Sequence, residues 1–167
     1  MRLFIAIRFS DAVRAALLSA ADTLKKASSG GNFTRAENLH LTLAFIGESD
    51  DVITVRRVME RCAGERFTLA VGGSGHFGDL YWAGIEKNPA LSALADRLQN
   101  ALRSAGFPVE KRDFSPHITL VRQLKAAFPP RFSVPRTEMA VTAFSLMKSE
   151  RIAGRLVYME LFSCPLR

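Results

Sequence analysis

A short pattern occurs twice in this chain, as Asn38-Leu39-His40-Leu41-Thr42-Leu43 and as Ser115-Pro116-His117-Ile118-Thr119-Leu120. Both copies read His, apolar, Thr, Leu within an apolar run that reads as a strand. Side chains i and i+2 of a strand leave the same face. His40 and Thr42 therefore project one way while Leu41 and Leu43 point into a core; His117 and Thr119 do the same over Ile118 and Leu120. The duplication constrains the chain to two lobes facing each other across a cleft, each contributing one imidazole and one hydroxyl.

The surrounding elements fit that plan. Residues 2–9 read as a strand, and Ser10 offers an N-cap for a helix over 11–27 whose apolar stripe is Val13, Ala16, Leu17, Ala20 and Leu24. Ser28 to Asn32 reads as a breaker. A strand at 39–46 and a helix at 52–63 follow, then strands at 66–72 and 80–86 joined through a Gly-rich turn, Gly72-Gly73-Ser74-Gly75. Asn88-Pro89 opens a helix over 90–105, with Leu91, Leu94, Ala95, Leu98 and Leu102 on one stripe. Strands are expected at 114–122, 137–147 and 155–163, and Pro129-Pro130 marks a loop rather than a linker. Mixed helices and strands close enough to pair antiparallel give an α+β class, with 1–167 as one bilobal domain.

Two histidines on one cleft suit phosphodiester opening. A base must take a proton from attacking water while an acid gives one to the departing sugar oxygen, and an imidazole does either near neutral pH. A hydroxyl two residues on can hydrogen-bond a non-bridging phosphate oxygen as charge develops there. One His-x-Thr in a strand is commonplace and is usually structural; two matching copies holding two of the three histidines are not. The pair lacks a third ligand at metal-binding spacing, so neither a metal nor another cofactor is expected.

At these residues the chain resembles the 2H phosphoesterase superfamily, whose paired H-x-T motifs match His40-Leu41-Thr42-Leu43 and His117-Ile118-Thr119-Leu120. It is similar in particular to the RNA 2′,3′-cyclic phosphodiesterases, also called 2′–5′ RNA ligases. The likeness extends to the opening Arg2-Leu3-Phe4-Ile5-Ala6-Ile7 and to Leu146-Met147-Lys148-Ser149-Glu150 near the end. The resemblance implies two pseudo-symmetric lobes of antiparallel sheet with outer helices and a cleft between them. It also implies that His40 and His117 form the acid–base pair, that Thr42, Thr119 and Arg122 contact the phosphate, and that the product is a 2′-phosphomonoester. The family's usual division makes His40 the acid and His117 the base, which the residues alone leave open. Simple alternation puts Arg122 on the opposite face from His117, so it contributes only if the strand ends or bulges near Val121.

Composition agrees with this reading. The net charge is +7, with 23 Lys and Arg against 16 Asp and Glu, which favours an anionic partner such as RNA ends or nucleotide 2′,3′-cyclic phosphates. Two cysteines are too few for a disulfide framework, and no window is apolar enough to span a bilayer. The expectation is a cytoplasmic protein, with one monomer adequate for the site and no membrane partner. Two other functions compete: joining tRNA halves through a 2′–5′ linkage with the same residues, and binding RNA or nucleotides without turnover. Among weaker features, His76 is expected in a loop near the cleft without a chemical role. Trp82 is assigned to the core, since only one of Tyr81 and Trp82 can face the cleft, and Phe9 and Phe45 to packing.

Overall fold

Two antiparallel sheets divide the strands of the protein, whose computed structural model describes residues 1–111 and 113–167. In chain order the elements are β1 (Arg2–Arg8), α1 (Asp11–Lys26), β2 (Gly30–Phe33), a 3-10 turn (Ala36–Asn38), β3 (His40–Glu48), α2 (Val52–Cys62), β4 (Phe67–Phe77), β5 (Leu80–Ile85), α3 (Pro89–Ser104), β6 (His117–Lys125), β7 (Thr137–Val141), β8 (Ala143–Ile152) and β9 (Arg155–Pro165). One sheet has the order β3-β1-β8-β9 and the other β2-β6-β5-β4-β7.

The helices start where their caps dictate. Ser10 Oγ accepts from Val13 N, Asp51 Oδ1 from Thr54 N and Asn88 Oδ1 from Leu91 N, each satisfying an amide that has no partner within its helix. The expected stripes of α1 and α3 are buried throughout. α1 packs on β2, β6 and β7, while α3 reaches β3, where Gln99 Nε2 donates to Leu43 O at 2.9 Å. Each of these helices thus touches the sheet to which its own leading strand does not belong, tying the two halves together. A cluster of buried side chains runs through both sheets, from Ile5, Ile7 and Leu41 to Ile118, Leu120 and Val121.

The repeat seen in sequence is a repeat in structure. β1-α1-β3 and β5-α3-β6 have the same plan, a strand, a helix, and a histidine strand returning antiparallel to the first. Arg8 pairs with His40 and Ala6 with Thr42; Gly84 pairs with His117 and Trp82 with Thr119.

Three segments differ from expectation, all for long-range reasons. Gly30–Phe33, within and beyond the expected breaker, is a short strand that borrows hydrogen bonds from the edge of β6. Its glycine content serves close approach: a Cβ on Gly31 would lie 2.8 Å from Val121 Cγ2. The run Gly72 to Gly75 is not a turn but the middle of β4, interrupted by a register shift between Val71 and Ser74. A Cβ at Gly75 would meet the Trp82 ring at 2.2 Å, so glycine makes room for an indole lying across the strand. The single strand expected over 137–147 breaks at Thr142, because β7 pairs with β4 in one sheet and β8 with β1 and β9 in the other.

Gly84 tests how tightly the His117 lobe is assembled. Its Cβ position lies 2.7 Å from the Gly72 carbonyl oxygen, a backbone atom that cannot rotate away. Gly84→Ala is expected to lower unfolding stability by about 1–3 kcal/mol, read as a lower midpoint in urea denaturation with an unchanged slope.

Candidate active site

His40 comes just after the 3-10 turn, which Asn38 fastens to the opposite edge of its sheet by donating from Nδ2 to Leu156 O at 2.9 Å. The Asn38 carbonyl then lies 2.6 Å from His40 Nδ1. A carbonyl only accepts, so Nδ1 carries a proton and the neutral imidazole has its lone pair on Nε2. Thr42 Oγ1, 2.9 Å away, donates to that lone pair. Burial lowers the pKa of His40, because a charged imidazole loses hydration there; the Asn38 carbonyl opposes the shift in part.

His117 repeats the anchoring. Its Nδ1 lies 3.0 Å from the carbonyl of Ser115, again two residues back, so its Nε2 is also the free nitrogen of the neutral ring. Its setting is more open: His117 is exposed, and its nearest ring is Trp82, edge to face at 6.4 Å. Thr119 is half-buried on the same face, two residues along.

Past each threonine, the two histidine strands carry a matched pair of β-bulges. Ala6 pairs with Thr42 but Ile5 with Ala44, leaving Leu43 as the extra residue of β3. Trp82 pairs with Thr119 but Tyr81 with Val121, leaving Leu120 as the extra residue of β6. Leu43 and Ala44 are both buried, as are Leu120 and Val121, so alternation resumes one residue late. The bulge that Arg122 needs is therefore present. Arg122 emerges on the face of His117 and Thr119; burial pushes the Tyr158 phenol up, and the Arg122 charge opposes that rise in part, while the Tyr158 ring packs against His40. The faces carrying His40 and Arg122 thus look onto common space.

The same shift brings out Phe45, the counterpart of Arg122 in β3. At 61% exposed it is not a packing residue, although it touches Phe4 with ring centroids 6.2 Å apart. Phe9 is buried as expected. Tyr81 and Trp82 exchange their expected places. Tyr81 is 4% exposed and sits in the core, because its partner Val121 is the inward residue created by the bulge; Trp82, paired with Thr119, lies on the face of His117, beside Phe77. His76 lies in β4 rather than in a loop, its ring stacked on Tyr81 at 5.0 Å and its Nδ1 3.0 Å from Gly78 O, on the face away from Trp82.

Sequence reasoning passed over the surroundings of His40. Phe4, His40 and Tyr158 form a triangle with every ring-centroid distance 5.0 Å. Beside it Arg8 Nη1 donates to Glu160 Oε2 at 3.1 Å, and the buried Ser145 hydroxyl donates to the same oxygen at 2.9 Å. Strand parity within β9 was available as a signal, but nothing local pairs Tyr158 with Ser149.

The model of the 2′-5′ RNA ligase superfamily matches residues 9–152. The RNA 2′,3′-cyclic phosphodiesterase of Thermotoga maritima is 30% identical over 98% of this chain and 95% of its own. Its namesake in Escherichia coli K12 is 34% identical over 78% and 77%. Among solved structures, E. coli LigT complexed with 3′-AMP superposes with a TM-score of 0.87 at 30% identity, covering 99% of this chain and 97% of that one. The MHV ns2 PDE domain, at 12% identity and a TM-score of 0.65, shares the fold. With the family model spanning most of its length and both His-x-Thr strands in register, this chain belongs to the 2′-5′ RNA ligase superfamily.

Proposed function

We propose that this protein hydrolyses 2′,3′-cyclic phosphates at RNA ends to 2′-phosphomonoesters without a metal, using His40 and His117 as its acid–base pair. The observation that carries the reading is the twofold imidazole arrangement, each Nδ1 held by the carbonyl two residues back; the Thr42 hydroxyl that lies on His40 Nε2 turns to the phosphate when substrate binds. The names of the T. maritima and E. coli relatives support the same substrate class.

In the reaction one histidine takes a proton from water as its oxygen forms a bond to phosphorus. The phosphorus–O3′ bond breaks on the far side, and the other histidine gives its proton to O3′. The product holds a 2′-phosphate and a free 3′-hydroxyl. Thr42 and Thr119 supply hydroxyl donors, and Arg122 a guanidinium, to the non-bridging oxygens, where negative charge builds up. The resemblance assigns the acid to His40. Burial disfavours a charged His40 in the free protein, so the anionic phosphate at Nε2 must hold its proton there.

The aromatic side chains supply a reason for a nucleotide rather than a bare phosphodiester. Phe77 is 66% exposed with its ring 5.7 Å from that of Trp82, beside His117, and Phe45 stands exposed on the other histidine strand. A base has a flat face to stack on such rings whatever its sequence. The description of the superfamily favours a second reading, 2′–5′ ligation, in which the 5′-hydroxyl of a second RNA attacks phosphorus in place of water, giving its proton to one histidine while O3′ leaves and takes a proton from the other. We place the protein in the reducing cytoplasm as a monomer. Two buried free thiols, Cys62 and Cys164, and a site built from one chain support this, and among the described residues no helix is long and apolar enough to cross a membrane.

Incubation with a nucleoside 2′,3′-cyclic phosphate in EDTA is expected to give the 2′-phosphate, identified by chromatography. His40→Ala and His117→Ala should each reduce turnover at least about a hundredfold; near-normal activity in either would sink the assignment, and loss of turnover in EDTA would require a metal mechanism. The dependence of kcat/KM on pH should be bell-shaped, since one imidazole must be charged and one neutral. Whichever histidine gives the proton, the acidic limb tracks the lower of the two values, so it should lie below the ordinary histidine value of about 6.5. Trp82→Ala should raise KM about tenfold with a smaller effect on kcat; an unchanged KM would remove the indole from the base site.

A further inference from the structure

The proposed acid–base chemistry of His40 requires its Nε2 to be aimed into the cleft, and the structure shows two things that hold the ring. One is the Asn38 carbonyl on Nδ1. The other is aromatic. Tyr158 meets His40 edge to face, centroids 5.0 Å apart and planes at 89°, while Phe4 lies against both rings at the same distance. Phe4 belongs with Ala6 and Met147 to a small buried cluster separate from the main core, and Tyr158 is the partly buried side chain packed on it. β9 provides both supports, since Leu156 O fastens Asn38 and Tyr158 stands two residues further along the strand. Among the described residues the lobe of His117 has no counterpart to this triangle. Its closest aromatic contact is Trp82 at 6.4 Å.

From this arrangement we infer that Tyr158 is a positioning residue for His40, its ring clamping the imidazole against Phe4 so that Nε2 points at the scissile phosphate. The inference rests on the acid–base role proposed for His40. The phenol hydroxyl has no hydrogen-bond partner among the described residues, so the ring, and not a bond from the hydroxyl to the protein, makes the clamp.

Several charges surround the pair. Arg8 on β1 stands beside His40 and is bound to Glu160 on β9. Arg35 and Glu37 are paired at the 3-10 turn. Arg122 and His117 lie across the cleft on β6, and Arg2 on β1 acts with Arg122 on Tyr158. The low pKa of His40 arises from burial, opposed by the Asn38 carbonyl, and not from these charges. Removing the ring that buries it should therefore raise that pKa and loosen the imidazole together, whereas removing only the phenol oxygen should do neither.

The test compares wild type, Tyr158→Phe and Tyr158→Ala, with thermal unfolding to confirm a folded state and Tyr158→Leu as the substitute if Ala does not fold. His40 is titrated by NMR in the free protein, and kcat and KM are measured against pH with a nucleoside 2′,3′-cyclic phosphate. The expected result is that Phe keeps the His40 titration of wild type. Ala, or Leu in its place, should move it upward toward about 6.5 and reduce kcat about tenfold or more, with less change in KM. An unshifted His40 with undiminished kcat in Ala overturns the inference, as does a Phe variant displaced as far as Ala. The NMR arm reads the clamp even if the wild-type protein turns over no cyclic phosphate, so failure of the proposed activity and failure of the clamp give different results.

Discussion

His40 and His117 each give the Nδ1 proton to the carbonyl two residues before, and the proposed chemistry depends on that bond. It fixes the tautomer, so the lone pair of the neutral ring sits on Nε2 and the nitrogen available to a substrate is the same in both lobes. In the first copy the chain enters the strand extended through Leu39, turning the preceding carbonyl back toward the ring. The repeated pattern is thus longer than His-x-Thr. It begins at Asn38 and Ser115, whose backbone carbonyls make the same bond, while the Asn38 side chain adds a second one to Leu156 O.

Beyond the threonines, the site depends on one extra residue in each strand. Period-two reasoning places His, Thr and their buried neighbours correctly through Leu43 and Leu120, then fails by one position. The failure is physical. A bulge is set by how a strand registers with its partner, and the partners, β1 and β5, lie more than thirty residues upstream. A local trace existed in the consecutive apolar pairs Leu43-Ala44 and Leu120-Val121, which a strand with one solvent-facing side has no reason to contain. The same slip explains why Phe45 is exposed, why Tyr81 rather than Trp82 is buried, and why Arg122 shares a face with His117.

Elements governed by local rules were legible. Helix starts at Ser10, Asp51 and Asn88, the apolar stripes of α1 and α3, and the two histidine strands all come from spacing and capping. Elements governed by neighbours were not. Glycines that suggest a breaker at 30–31 or a turn at 72–75 are strand residues here; at Gly31 and Gly75 a close neighbour, Val121 and the Trp82 ring in turn, occupies the space of a Cβ. The break at Thr142 was equally hidden, since it marks a change of sheet and not a change of composition.

The two lobes share backbone geometry but not surroundings. The symmetry is broken by what fills the cleft face around each ring. Ala6 stands beside Thr42 where Trp82 stands beside Thr119, leaving space on the His40 side for Phe4 and Tyr158 to close in. Burial results, and with it the lowered pKa of His40, while His117 stays open to solvent under the edge of Trp82. The backbone repeat accounts for where the two Nδ1 anchors are; the unequal side chains around them account for why one ring is half-buried and the other exposed.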